Sequence, residues 1–280
     1  MKKLLIISKS KNLYSVRRLH KEAENMFAEI EVFSYKDLSI TYKKNKLSFR
    51  VADRNVSDYT HIISRISDKF YPVRYLLAKE ASHSGVRMLN SEAILNMPHY
   101  NKLTQLYLLG SIGLPLPETH FILRSSNLST KGKVLKKAKS SRLGKGMSVV
   151  NPKDVNTAFD FTLRDYLFQE LLPYDSDLRI MVIGGKVIGA VKRAAKYANR
   201  NADSEEFDLH NNAELVKLAQ KAAKALKAEY IGLDIMQTKL GPVILEANLD
   251  AGFKTFDKLT HRKTAVHIIK QLLNDPQYGP

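Results

Sequence analysis

No cysteine occurs among the 280 residues, which excludes disulfides, thiol nucleophiles and cysteine metal sites. Long hydrophobic runs are also missing: none approaches the roughly 20 residues a helix needs to cross a bilayer. The opening stretch Met1–Ser8 is too short for a secretory signal and reads as a first strand. The expectation is a soluble protein of the cytoplasm with no membrane partner. Acids are scarce relative to bases, 28 Asp and Glu against 45 Lys and Arg, leaving a net charge of +17. Such an excess attracts nucleic acid, anionic membrane, acidic peptides and phosphorylated small molecules alike. The lysines are scattered rather than gathered into one tail, so a Lys-rich background explains the charge as well as a polyanionic partner does. With no helix-turn-helix, zinc-finger or aromatic RNA-binding signature, a nucleic-acid partner rests on charge alone.

What is present is an ordinary 44% hydrophobic content in a length that suits two or three subdomains. The most informative stretch lies near the C-terminus, where two apolar segments, 231–236 and 243–248, flank a tight Lys-Leu-Gly. A hairpin closed by a three-residue loop, with Gly241 left-handed, sets Asp234 opposite Glu246. Alternation then puts Leu233, Ile235, Val243, Leu245 and Ala247 on a core face, and Asp234, Glu246 and Asn248 on the other. Two carboxylates in cross-strand contact destabilise a sheet unless positive charge lies between them. Oxygen ligands of this kind suit a hard divalent cation such as Mg2+, although spacing does not choose the metal. The bland alternative is a solvated face whose acids contact nearby lysines.

The remaining chain alternates strands and helices. Residues 3–8 read as a buried strand, 15–27 as a helix with Val16, Leu19, Ala23 and Phe27 on one face, and 30–33 as a second strand. The polar, Lys-rich stretch 41–55 carries no element in this reading. A strand at 61–66, a helix near 73–82 and a strand at 86–89 complete a small parallel α/β layer over about the first 90 residues. Ser91 and Asn101 are candidate N-caps of two further helices, the second stopping at Gly110 or Gly113. Strands follow at 119–123, 133–138 and 147–150, the last two joined by the basic small-residue loop 139–146, which could cradle phosphates or be an ordinary polar turn. A helix at 153–163 and a strand at 166–172 lead to a hairpin, 177–183 and 186–193, turning at Gly184-Gly185. In its two-residue register Asp177, Arg179, Ala190 and Lys192 share a face, and Arg193 falls on the other unless a bulge intervenes. Residues 196–210 read as a mobile polar loop, Asn211 and Glu214 as a capping box opening a helix to about Ala228, and 264–273 as a closing helix.

This order of parts resembles the ATP-grasp superfamily, and more narrowly its RimK-type glutamate ligases and related carboxylate–amine ligases. The motif Asp234…Glu246-x-Asn248 carries the resemblance most specifically, and residues 13–19, Ser64-Arg-Ile66 and Leu89-Asn-Ser91 extend it over nearly the whole chain. The resemblance implies an ATP-grasp fold, α/β at the start and α+β in the C-terminal half, with two α+β subdomains clasping ATP. The implied divisions are a pre-ATP-grasp domain at 1–93, a central subdomain at 94–172 with the phosphate loop, and a C-terminal subdomain at 173–280 with the metal site. It implies ATP and Mg2+ as cofactors, Mn2+ being the alternative. Lys102, Lys137 (or Lys136 one position off), Ser140 and Ser141 match nucleotide-contacting positions, and Gln169, Glu170 and Leu172 match the strand whose backbone meets the adenine edge. A plain helix-start lysine and a core strand are the bland readings of Lys102 and of 169–172. Asp177 matches a ribose-facing acid, Arg179 and Arg193 match catalytic basic positions near the phosphates and acyl group, and Asp234, Glu246 and Asn248 match the magnesium ligands. Departures occur where RimK-type chains carry Arg-Ser-Asn, here Glu206-Phe-Asp208, where a second arginine is Ala194, and where Ser-Pro-Gly is Asp250-Ala-Gly252.

The implied activity is amide formation through an acylphosphate, joining an amino acid to a small acid or to an acidic peptide or protein tail. Those departures motivate the alternative, a nucleotide-binding regulatory or assembly protein of the same fold without turnover. Oligomeric state stays open, a homo-oligomer included.

Overall fold

The computed structural model describes the chain except for residues 67–69, 124–127, 129, 131, 140–146, 156–164, 174, 195–203 and 275–280. Strand β1 (Lys3–Ser8) is buried along almost its whole length, the signature of a central strand in a parallel sheet. It is followed by α1 (Tyr14–Ala23), which places Val16, Leu19 and Ala23 inward, and by β2 (Glu29–Ser34). The helix stops four residues short of Phe27, which still packs into the core because backbone bonds from Met26 and Phe27 to the Ala23 carbonyl curl the chain inward.

The stretch read as featureless is a three-stranded antiparallel meander of β3 (Leu38–Lys43), β4 (Lys46–Val51) and β5 (Arg54–Asn55). Its turn at Lys44 and Asn45 has φ of 51° and 62°, the left-handed pair that tight hairpins require. Alternation was present in Leu47, Phe49 and Val51, masked by the lysines at 43, 44 and 46 just before it. Strand β6 (His61–Arg65), α2 (Tyr71–His83) and β7 (Arg87–Met88) complete a parallel sheet of order β2-β1-β6-β7. Helix α1 packs with Leu4 and Ile6, and α2 packs with Leu5 and Ile7 on the other face.

Helix α3 (Ser91–Asn96) starts at Ser91 rather than being capped by it, since the preceding Asn90 is left-handed and its side chain is committed elsewhere. Asn101 does cap α4 (Lys102–Gly110), accepting from the amides of Leu103 and Thr104 at 2.9 and 3.0 Å. Strands β8 (Thr119–His120), β9 (Val134–Ala138), β10 (Met147–Val150) and β11 (Tyr166–Glu170) form an antiparallel sheet of order β10-β9-β11-β8. The expected phosphate loop beyond Lys139, with Ser140 and Ser141, and most of the expected helix at 153–163 lie outside the described residues.

A five-stranded sheet of order β14-β13-β12-β15-β16 dominates the remainder: β12 (Ser176–Ile183), β13 (Lys186–Ala194), β14 (Ser204–Phe207), then α5 (Ala213–Ala225), β15 (Tyr230–Thr238) and β16 (Gly241–Asn248). The edge strand β14 replaces part of the expected loop, because Ala190–Arg193 offers it a free ladder. No capping box opens α5; Asn212 precedes it and its amide donates to the Asp208 carbonyl at 3.0 Å. Two helices close the chain, α6 (Lys254–Thr260), which was not anticipated, and α7 (Thr264–Leu273), which was. Packing joins the first sheet and the last through shared apolar clusters, whereas Ile122, Leu128, Val134, Val155 and Phe168 form a separate small core for the middle sheet. Among the described residues no helix is long and apolar enough to cross a membrane.

Candidate active site

Two β-bulges decide which side chains meet. In β12–β13 the register shifts between Met181 and Val182, so Ile188 is the extra residue and Asp177 falls opposite Arg193. Arg193 therefore joins Asp177 and Arg179, while Lys192 turns to Glu205 at 3.5 Å on the outer strand, reversing the straight-register expectation. In β15–β16 the loop has two residues, 239–240, not three, and the register that starts at Thr238 and Gly241 would miss Glu246 by one. A bulge at Leu245 restores it, so Asp234 does face Glu246, but Ile244 rather than Val243 or Leu245 enters the core.

Arg179, Asp234 and Glu246 thus form one row across β12, β15 and β16. Arg179 Nε donates to Asp234 Oδ1, and its Nη2 to Oδ2 at 2.9 Å, a two-pronged grip. Arg193 Nε donates to Asp177 Oδ1 at 2.6 Å, and its Nη2 lies 3.0 Å from Asp234 Oδ1. Burial opposes a charge on Asp234, but Arg179 and then Arg193 more than offset it and hold its carboxyl below the ordinary carboxylate range. Burial also works against the Arg193 charge, and Asp234 and Asp177 overcome it, pushing its pKa up. At the end of the row Lys102 Nζ stands 3.5 Å from Glu246 Oε1. The positive charge that facing carboxylates demand is therefore supplied here by three side chains.

Beside this row opens a narrow cleft between α4, the middle sheet and β16. Lys102, Lys137, Gln169 and Glu246 all line it, with Leu106 and Leu167 as apolar walls. Lys137 is buried and donates to Gln169 Oε1, whose Nε2 donates to Thr119 Oγ1 at 3.0 Å. The cleft is the right kind of place for an anionic, partly aromatic ligand: cations on one side and an apolar slot on the other.

Residues 102–272 match the model of the RimK-like ATP-grasp domain and residues 1–94 that of the RimK PreATP-grasp domain. The chain belongs to the RimK-like ATP-grasp family. It is an ATP-dependent ligase with the ATP-grasp fold. A probable alpha-L-glutamate ligase of Vibrio vulnificus strain YJ016 is 26% identical over 284 residues, covering 94% of this chain and 92% of the relative. One of the same description from Hydrogenovibrio crunogenus is 29% identical, covering 95% and 94%. Among solved structures, the ATP-grasp ligase PsnB complexed with a phosphomimetic variant of its minimal precursor, Mg and ADP superposes with a TM-score of 0.71 at 19% identity, covering 98% of both chains. A RimK domain ATP-grasp protein of Sphaerobacter thermophilus gives 0.72 at 16%, covering 97% of this chain and all of that one.

ATP-grasp ligases use ATP and Mg2+. The half-buried Glu246 and Asn248 have the oxygen donors a hard cation takes. Asp234 does not fit that set in this arrangement, because Arg179 holds both its oxygens and Arg193 crowds one of them. Elsewhere in this RimK-like chain, Glu170 is turned outward to accept from the Glu118 amide at 2.8 Å, and Leu172 follows the strand; neither lines the cleft. Sequence reasoning missed Gln105, whose Oε1 accepts from the Ala247 amide at 3.0 Å, and Thr119, which anchors Gln169. Gln105 could have been found as the polar residue on the otherwise apolar inner face of α4, with Leu109 one turn on.

Proposed function

We propose that this ligase forms an amide or peptide bond by activating a substrate carboxylate with ATP, adding glutamate or another amino acid to an acidic peptide, a protein tail or a small acid. The naming of its relatives as probable alpha-L-glutamate ligases and the precursor peptides bound by its structural neighbours support that substrate class. The excess of base, +17 overall, favours an acidic acceptor. An ATP-consuming activity of this kind belongs in the cytoplasm. The observation that carries the reading is the charged row Arg179–Asp234–Glu246, whose Glu246 end lines the cleft of Lys102 and Lys137.

In the proposed reaction a carboxylate oxygen attacks the γ-phosphorus of ATP, the bond to the β-phosphate oxygen breaks, and ADP leaves. The amine then attacks the acyl carbon, phosphate departs, and the amine proton is lost to water or phosphate. Such phosphoryl transfer needs positioned charge more than a side-chain nucleophile. Arg179 and Arg193 stabilise the transferring group and the acylphosphate. Lys102 and Lys137 bind the nucleotide phosphates with Ser140 and Ser141, and the backbone from Gln169 through Glu170 to Leu172, rather than the side chains of the last two, meets the adenine edge. Asp177, 2% exposed and bonded to Arg193, positions that guanidinium rather than meeting ribose in this arrangement. Glu246 and Asn248 would hold the cation, Mg2+ or Mn2+, which supplies charge neutralisation at the phosphates when bound. We divide the ligase at 1–93, 94–172 and 173–280, with nucleotide held between the second and third parts.

Glu246→Ala is expected to abolish ADP release and product formation in a panel of carboxylates and amines, followed by coupled assay and mass spectrometry. Full retained turnover would refute these roles. Mg-ATP raising the melting temperature of the unaltered chain, with no ADP released by any pair, would instead favour a nucleotide-binding regulator.

A further inference from the structure

The antiparallel meander that follows β2 is half core and half surface. Leu38 pairs with Val51, Ile40 with Phe49 and Tyr42 with Leu47, so these six side chains share one face of the hairpin. Phe49 and Val51 are buried in the apolar cluster beneath, whereas Ile40, Tyr42 and Leu47 are 44%, 70% and 63% exposed. The hairpin starts in the core and carries its apolar face out into solvent.

Strand β3 is also an edge. In the sheet order β3-β4-β5 its outer side has no neighbour among the described residues, and Ser39–Lys43 are all exposed. Which backbone groups face outward follows from the turn. Lys43 and Lys46 close a two-residue loop and exchange the hydrogen bonds nearest it, so Thr41 and Ser39 also bond inward to β4. The Ala52 amide, which donates to the Asp37 carbonyl at 2.8 Å, keeps the same alternation at the other end. The N–H and C=O groups of Ile40 and Tyr42 therefore point away from β4, beside the exposed apolar side chains of the same two residues.

Sheets usually blunt such an edge with proline, a bulge, a charge in mid-strand or very short length. None of these protects the stretch from Leu38 to Tyr42: the strand has six residues, its register does not shift, and its middle reads Ser-Ile-Thr-Tyr. Charge is gathered instead at the turn and on the opposite face. Lys43, Lys44, Lys46 and Arg50 are exposed there, and no acid occurs between Ser39 and Arg50. A second copy of the chain would bring the same lysines and a like charge of +17 to the contact, which opposes self-pairing. The chemistry that fits is an extended peptide with apolar side chains beside Ile40 and Tyr42 and alternate carboxylates on the side of Lys43, Lys46 and Arg50.

We propose that the free edge of β3 docks an acidic, extended segment of the acceptor peptide or protein, taken up as an added strand. That the segment belongs to the acceptor rests on the ligase reading above; the strand addition does not. The probe is a fluorescent peptide of about eight residues, long enough for one strand, alternating valine and glutamate and titrated into the full chain by anisotropy. Its comparisons are the lysine-for-glutamate peptide, the acidic peptide N-methylated either at its valines or at its glutamates, and vesicles of phosphatidylserine and phosphatidylcholine. The acidic peptide should bind and the lysine peptide should not. N-methylation in one of the two frames should weaken binding about tenfold, as expected for lost ladder hydrogen bonds, and the other frame should leave it nearly unchanged. Ile40→Pro removes an N–H that β4 does not use, at an edge position where sheets accept proline. It should weaken the peptide to a similar degree while keeping the rise in melting temperature from Mg-ATP. The double variant Lys43→Glu, Lys46→Glu leaves the backbone alone and should weaken it about three- to tenfold, and it carries the test if Ile40→Pro does not fold. Equal binding of acidic and lysine peptides, no difference between the two methylated frames, or full binding by the double variant overturns the proposal. So does vesicle binding in place of peptide binding, which would make the hairpin a membrane contact, or a sedimenting dimer that Ile40→Pro dissolves, which would give the edge to a second copy. Peptide binding of the expected kind in a chain that releases no ADP with any carboxylate and amine would overturn the ligase reading and leave the strand addition in place; turnover without peptide binding would do the reverse.

Discussion

At the residue scale, Asp234 is the most constrained group in the candidate site: it is 4% exposed and gripped by Arg179, with Arg193 at 3.0 Å. Removing Arg179 strands a buried carboxylate beside one remaining cation, so Arg179→Ala is expected to cost about 3 kcal/mol in urea unfolding, beyond any effect on turnover. The same pairing sets an acid limit. Because the folded pKa of Asp234 lies below its unfolded value near 3.9, its contribution is complete above that value and is lost as pH falls through the lower folded one. Urea midpoints of the unaltered chain and of Asp234→Asn measured between about pH 2 and 6 should therefore converge at the acid end. Asp234 and Glu246 were legible as candidates because acids on apolar strands stand out locally, whereas Lys102 and Lys137 were reached only through the family resemblance. The partners of the acids were not legible: nothing near Asp234 in the chain names Arg179, which reaches it only through the pairing of β12 with β15.

At the element scale, Asn90 joins the first part of the chain to the last. Its Nδ2 donates to the carbonyls of Tyr230 and Leu249 at 2.8 and 3.0 Å, and its Oδ1 accepts from the amides of Glu229 and Tyr230 at 2.8 and 2.9 Å. The backbone there is left-handed, φ 61°, which asparagine tolerates. Asn90→Ala should lower unfolding stability by about 3 kcal/mol, since buried backbone groups lose their partners. Asn90→Gly, which relieves the backbone alone, should recover about 1 kcal/mol of that loss. The long apolar strands and amphipathic helices were readable because their periodicity is local. The β3–β4 hairpin and the edge strand β14 were not, since their polar composition hides strands that exist by pairing with neighbours. The bulges at Ile188 and Leu245 likewise leave no mark in the sequence, and each moves a side chain to the opposite face.

At the scale of the whole molecule, the charge of +17 predicts that recognition of an acidic acceptor weakens with ionic strength. The acceptor KM should rise several-fold between about 50 and 300 mM salt, a range over which the screening length contracts from well above to below 10 Å, with kcat nearly constant in steady-state kinetics. The apolar clusters that join the first and last sheets leave the middle sheet on its own small core, so the cleft lies against the part with the least packing. By itself the sequence determined the alternation of elements and the family resemblance, because these follow from periodicity and from residue types at short spacing. Only the tertiary structure decided that arginines grip Asp234, that a bulge at Leu245 sets Asp234 opposite Glu246, and that Arg193 shares the face of Arg179. Those outcomes depend on register and on contacts between distant segments, where a single extra residue in a strand reverses which side chains meet.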